Sequence, residues 1–326
     1  YNPFMEQYTA QSFWSSKKRG SIKSKTSKYK LDDSEVLVEA VYSGISYGTE
    51  KIVFDGLVPK NQYDLMRAPH QEGSFNTSIK YGYLNVGKVI KGPRKYENKM
   101  VYTMYPHQSK FIINSSLATL IPNYIPAKRA LLTANMETAI NATWDSQPSV
   151  GDKTYVIGAG IVGLLMAYVL SKTFGVEVAI IDKDIKKKNI CKRLNIPFIN
   201  DINKIQAPDI IYECSGNISV LENLVNNIAL DTKICILSWY GKQKSQIKMG
   251  ENCFSRRLNM IFSQVGNIAS YKLRKYDNLK RRALALDMLN DDILDYLIDK
   301  KELQLNDLPK FFTKTYDKGL CKVVKY

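Results

Sequence analysis

Three glycines in Gly158-Ala159-Gly160-Ile161-Val162-Gly163 carry the clearest chemistry in this chain. The spacing G-x-G-x-x-G permits a tight bend at Gly158, close approach of a pyrophosphate at Gly160, and close helix–strand packing at Gly163. The amides of Gly160, Ile161 and Val162 then face the ligand's negative charge from a helix N-terminus. A second apolar run, Glu177-Val-Ala-Ile-Ile181, ends in Asp182, nineteen positions after Gly163. A carboxylate at that distance accepts hydrogen bonds from an adenosine ribose. Glycines alone would also suit a packed turn without a ligand. Strand, glycines, helix, strand and carboxylate in this order predict a dinucleotide site. Asp182 favours NAD because it repels a 2′-phosphate, whereas Lys183 and the run Lys186 to Lys188 leave NADP open.

The elements that must hold this site follow from the pattern around it. Lys153-Thr-Tyr-Val-Ile157 is an apolar, β-branched run leading in, and Leu164, Leu165, Ala167, Tyr168 and Leu170 lead out at helical spacing. From about Val150 to Ile268, strands at Thr154–Ile157, Val178–Ile181, Ile210–Tyr212 and Ile234–Leu237 alternate with helices, which predicts a doubly wound parallel sheet. Cys214 and Ser215 follow one strand and are expected beside the adenosine, while Ser238 and Trp239 follow the next, toward the nicotinamide half; Tyr240 is a further candidate wall there. Residues 1–148 instead show short apolar runs punctuated by Gly and Pro, the texture of antiparallel strands, with a helix after Pro126. The segment Ser15 to Ser27 reads as a solvated hairpin or loop. Residues 271–326 open on a helix over Arg281 to Leu294 and close on a strand over Leu320 to Val324. The expected division is therefore 1–148, 149–270 and 271–326.

Composition narrows the classes. The 326 residues suffice for two cores. They contain no apolar run of about 18 residues, so no membrane span is expected. No charged-then-apolar leader opens the sequence, and five scattered cysteines without a C-x-x-C pair suit reduced thiols, which points to the cytoplasm. A net charge of +16 raises the question of a polyanionic partner. Lysines spread along the whole chain without an RNA-binding aromatic motif or a helix-turn-helix argue for a solvated surface, so nucleic acid is not the expected partner. An anionic small-molecule substrate stays compatible.

Several strings together resemble the medium-chain dehydrogenase/reductase family. They are Ser43-Gly-Ile-Ser-Tyr-Gly-Thr-Glu50, Gly82-Tyr-Leu-Asn-Val-Gly87, Val150 to Gly160, Tyr212-Glu-Cys-Ser-Gly216 and Lys322-Val-Val324, and they span nearly the whole chain. The first two are also similar to bacteriochlorophyllide dehydrogenases. The resemblance implies a Rossmann domain inserted in a β-rich GroES-like catalytic domain, an NAD(P)-dependent oxidoreductase, and a homodimer joined through Met260-Ile-Phe-Ser-Gln-Val265. Where zinc-dependent members place a cysteine, this chain has Ser46 or Tyr47. Where they place a histidine it has Tyr83, and near the third ligand it has Glu137. The four-cysteine lobe is absent as well. Zinc needs several soft or borderline ligands together, so a metal-free site is expected.

Without a metal, the substrate oxygen needs a proton donor or fixed hydrogen bonds. On segments that the resemblance places along the cleft, the candidates are His107, Tyr83, Glu137, Ser46, Tyr47 and Thr49, with Asn135 nearby and Glu50 as a brace. His107 suits a general acid or a structural imidazole; Tyr83 suits a donor to a carbonyl or simple space filling. The expected activity is zinc-independent interconversion of a secondary alcohol and a ketone. Enone reduction on the same fold, and a basic nucleotide-bound nucleic-acid binder, are the rival readings.

Overall fold

The computed structural model describes residues 5–314 and 320–326, which divide into two compact units. The first comprises residues 5–134, 298–314 and 321–326, and the second 135–297 together with 320. The expected cuts at 148/149 and 270/271 both fall inside the second unit.

In the first unit the strand Glu35–Ile45 is the hub of a seven-stranded sheet. Its first half pairs antiparallel with Lys110–Asn114 and its second half with Cys321–Lys325, while Asn85–Lys91 runs along the opposite side. Side chains alternate along a strand, so Val36, Val38 and Ala40 share one face. They pack there with Val89, Val101, Phe111 and Ile113. The helix Tyr47–Phe54 follows directly; Tyr47 and Phe54 join Phe13, Phe311 and Phe312 in a separate aromatic cluster. The polar stretch beginning at Ser15 is part of a long hairpin, Glu6–Ser16 against Arg19–Tyr29. Its two turn residues, Lys17 (φ 43°) and Lys18 (φ 68°), both lie in the left-handed region. That geometry matches the right-handed strand twist but usually selects Asn or Gly; the hairpin alternative for Ser15 to Ser27 is the one the structure shows, with strands that extend beyond that segment. Past Pro126 the expected helix comes in two pieces, Ala127–Ala130 and Thr133–Ser146.

The second unit is a six-stranded parallel sheet in the order Phe198–Ile199, Glu177–Ile181, Lys153–Ile157, Ile210–Glu213, Lys233–Ile236, Asn259–Phe262. This is the doubly wound 3-2-1-4-5-6 arrangement, in which ligands bind beyond the carboxyl ends where strand order reverses. The reversal lies between Lys153–Ile157 and Ile210–Glu213, the strands that feed the glycine elbow and Cys214. With this unit inserted in the β-rich one, the fold is a Rossmann sheet within a GroES-like domain. The helix expected from Arg281 starts earlier, at Asn278, and ends at Met288. Asp277 sets that start by accepting a hydrogen bond from the Lys280 amide at 2.8 Å. Asp277→Ala is expected to cost about 1 kcal/mol, read as a lower urea midpoint with an unchanged slope. No helix among the described residues is long and apolar enough to cross a membrane.

Candidate functional site

The glycine elbow is built so tightly that side chains are excluded. Gly158 has φ +99°, and a Cβ there would sit 3.0 Å from the backbone of Ser215. A Cβ on Gly163 would lie 1.9 Å from the Gly158 carbonyl oxygen. The loop therefore passes directly over the Cys214–Ser215 turn at the strand reversal. Gly160 caps the helix Ile161–Ser171 with extended backbone and no side chain, and the first turn of a helix leaves amides without internal partners. Asp182 stands beside the loop: Oδ2 accepts from the Ala159 amide at 2.8 Å and Oδ1 from the Asp184 amide at 2.9 Å. One carboxylate thus ties the end of the second strand to the elbow and keeps lone pairs for a ribose. Lys183 is exposed at its side.

A polar network lies at the carboxyl ends of the strands Ile210–Glu213 and Lys233–Ile236. Glu213, fully buried, accepts hydrogen bonds from the Ser215 amide at 2.8 Å, the Ser215 hydroxyl and the Tyr240 hydroxyl. The Ser238 hydroxyl accepts from the Gly216 amide at 2.9 Å and donates to the Glu213 carbonyl. Burial, then the Glu213 charge, pushes the Tyr240 phenol far above its ordinary range. Burial and the same carboxylate raise the Cys214 thiol, which disfavours the thiolate. Trp239 is half-buried beside Tyr240. Gly158, Gly160, Ile161, Val162, Gly163, Asp182, Cys214, Ser215 and Ser238 thus all meet around the reversal. Glu213 escaped the sequence reading because a single Glu at a strand end carries no spacing signal.

In the first unit Tyr83, Ser46 and Thr49 come together. The half-buried phenol of Tyr83 hydrogen-bonds the hydroxyls of Ser46 and Thr49 at the start of the helix Tyr47–Phe54. Burial is the largest effect on the phenol and raises it, the two hydroxyls oppose this, and Glu50 adds to the rise; the result is about 12. The group stays protonated and is a donor. Tyr102 holds the Tyr83 carbonyl from behind at 2.9 Å, and the Tyr81 ring meets the Tyr83 ring edge-on at 6.1 Å.

Three other candidates are placed differently. His107 is 1% exposed and both ring nitrogens are engaged, Nδ1 with Ser43 Oγ at 2.6 Å and Nε2 with Glu50 Oε2 at 2.8 Å. It is an internal imidazole, without the opening a general acid requires. Glu137 is 2% exposed and its two oxygens accept from Arg281 and Arg282, each at 3.2 Å. Arg281 also donates to Asn141 and the Val265 carbonyl. Such a buried, doubly paired carboxylate is a structural group, because using it as a base would break two buried ion pairs. Tyr47 turns its ring onto Phe311 and its hydroxyl toward the Lys314 carbonyl. The sequence could not show these pairings, since each joins residues far apart along the chain.

Among the described residues no three His, Cys, Asp or Glu side chains converge as a metal would require, and His107 and Glu50 bond each other.

Comparison with known proteins agrees with the fold. A family model described as an NAD(P)-binding Rossmann-like domain matches residues 156–186. No curated protein sequence matches the chain. Among solved structures, L-idonate 5-dehydrogenase from Escherichia coli superposes with a TM-score of 0.78 at 14% identity, covering 98% of this chain and 99% of that one. A zinc-binding dehydrogenase from Sinorhizobium meliloti bound to NADP gives 0.75 at 13%, covering 98% and 100%. An Escherichia coli alcohol dehydrogenase complexed with NADH gives 0.75 at 14%, covering 98% and 99%.

Proposed function

We propose that this protein is an NAD(P)(H)-dependent oxidoreductase that interconverts a secondary alcohol and a ketone without zinc. The observation that carries the reading is the glycine elbow, where a carbonyl oxygen fills the space of a Cβ at Gly163 beside an acid-tied strand end. Dinucleotide-bound dehydrogenases of the same fold support it. When bound, the nicotinamide supplies the hydride acceptor or donor. The amides of Gly160, Ile161 and Val162 hold the pyrophosphate, and Asp182 holds the adenosine ribose. Tyr83 donates its phenolic proton to the developing alkoxide in the reducing direction. Ser46 and Thr49 hold that phenol, and the half-exposed Thr49 hydroxyl passes the replacement proton from water.

The test is NADH binding by calorimetry, followed by turnover on a panel of ketones, enones and their alcohols with the metal content measured. Binding plus turnover of metal-free protein supports the reading; near-stoichiometric zinc or no NADH capture overturns it. Asp182→Ser is expected to weaken NADH about tenfold, the equivalent of about 1.4 kcal/mol, and to leave NADPH nearly unchanged, measured as paired Kd values. The protein is further proposed to be cytoplasmic and to form a homodimer through the outermost strand Asn259–Phe262. Phe262 on that strand is 69% exposed, and Phe254 in the segment before it is 81% exposed. Light scattering should give twice the chain mass, and Phe262→Lys should return the monomer.

A further inference from the structure

The mechanism above uses Tyr83, Ser46 and Thr49 but not the buried polar chain behind them. Tyr326, the last residue, receives the Gln108 amide hydrogen on its phenol oxygen. Its hydroxyl lies 3.0 Å from Ser43 Oγ, a bond in which either oxygen can donate. Ser43 Oγ lies 2.6 Å from His107 Nδ1, where the roles follow the tautomer. An imidazole that accepts at Nδ1 carries its proton on Nε2, and Nε2 faces Glu50 Oε2 at 2.8 Å. The other Glu50 oxygen, Oε1, accepts from the Ser46 amide at 2.8 Å. With Glu50 accepting at both oxygens, Nε2 is the donor, and a neutral ring then accepts at Nδ1 from Ser43.

The chain grips both segments that build the Tyr83 site. Through Glu50 it holds the Ser46 amide, at the start of the helix that carries Ser46 and Thr49. Through the imidazole it holds Gly82, the residue before Tyr83: a Cβ there would lie 3.1 Å from His107 Cδ2 and 3.3 Å from Nε2. Phe13 closes the ring edge at 6.4 Å. Closely spaced constraints on two segments from one imidazole leave the phenol little freedom.

We propose that Tyr326, Ser43, His107 and Glu50 form a positioning clamp that fixes His107 as its Nε2–H tautomer and thereby aims the Tyr83 hydroxyl. The clamp rests on the reading of Tyr83 as proton donor. None of its four members touches substrate, so they are positioning residues.

Two independent measurements test it. The first is tautomer-resolved nitrogen NMR of the histidine-labelled protein at pH 7.5. The chain has only two histidines, and His70→Asn assigns the signals. His107 should show a protonated Nε2 and an unprotonated Nδ1, and Ser43→Ala should convert this into a tautomer mixture. An Nδ1–H or doubly protonated imidazole in the unsubstituted protein overturns the clamp, whatever the activity proves to be.

The second is steady-state kinetics of Tyr326→Phe and Ser43→Ala, each a one-atom change. Both should lower kcat about 10- to 100-fold, as expected for a misplaced reacting group. KM and NADH affinity should stay within about twofold and the melting temperature should hardly move. Unaltered kcat, or a loss that tracks melting temperature and NADH affinity, would overturn the positioning role. Failure of Tyr83→Phe to lower kcat would sink the donor reading alone, because the tautomer measurement does not depend on it.

Discussion

Tyr83→Phe is expected to lower kcat by about 10²-fold or more, the usual worth of a positioned proton donor, while calorimetry finds NADH bound as tightly as before. The substitution removes one oxygen and keeps the ring that packs on Tyr81. A change in KM without a change in kcat would mean that the phenol only binds substrate. The pH profile gives a second check. Burial raises the phenol from its ordinary 10.0 to about 12, against the opposing hydrogen bonds of Ser46 and Thr49. A tyrosine whose folded value is raised keeps its full contribution to stability below its unfolded value and loses it as pH climbs through the folded one. No alkaline loss of rate from Tyr83 is therefore expected below about pH 10. A fall in kcat near neutral pH that disappears in Tyr83→Phe would overturn the assignment of a protonated donor.

The second large effect is expected at Gly163. An alanine methyl would overlap the Gly158 carbonyl, whose oxygen lies 1.9 Å from the added atom. Backbone cannot step aside as a flexible side chain does, so the helix start must move away from the loop. Gly163→Ala should raise the NADH Kd about 100-fold, equivalent to about 2.7 kcal/mol, and lower stability by about 1–3 kcal/mol through overpacking. Gly250→Ala, where a Cβ would meet nothing within 4 Å, is the control and should leave binding unaltered. NADH bound equally well by Gly163→Ala would show that the elbow does not cradle the coenzyme.

What the sequence could and could not disclose follows from the range of each interaction. The nucleotide elbow was legible because its requirements are local: a bend at Gly158, a close pass at Gly163, and an acid at the next strand end. The parallel strands were legible for the same reason, as short β-branched runs between helical ones. At Ser15 to Ser27 hairpin and loop could not be told apart, because Lys17 and Lys18 do not advertise a positive φ. His107 illustrates the larger limit. Its residue type suits acid–base work, but its role depends on Ser43 and Glu50, 64 and 57 positions away. Glu137 fails as a base for the same reason, because Arg281 lies 144 positions downstream. Tyr326 carried no motif at all. Its part in the buried chain exists only once the closing strand has returned to Glu35–Ile45.

That return has a consequence for biogenesis. The hub strand's second half lacks one of its two neighbours until Cys321–Lys325 has left the ribosome. The parallel-sheet unit needs nothing beyond residue 297 except residue 320 among the described residues. Although it begins later, it is the first able to complete itself during translation, and the earlier-made β-rich part must wait with an open flank. A nascent chain stalled before residue 321 should therefore resist protease in its middle third while its amino-terminal third is still cut.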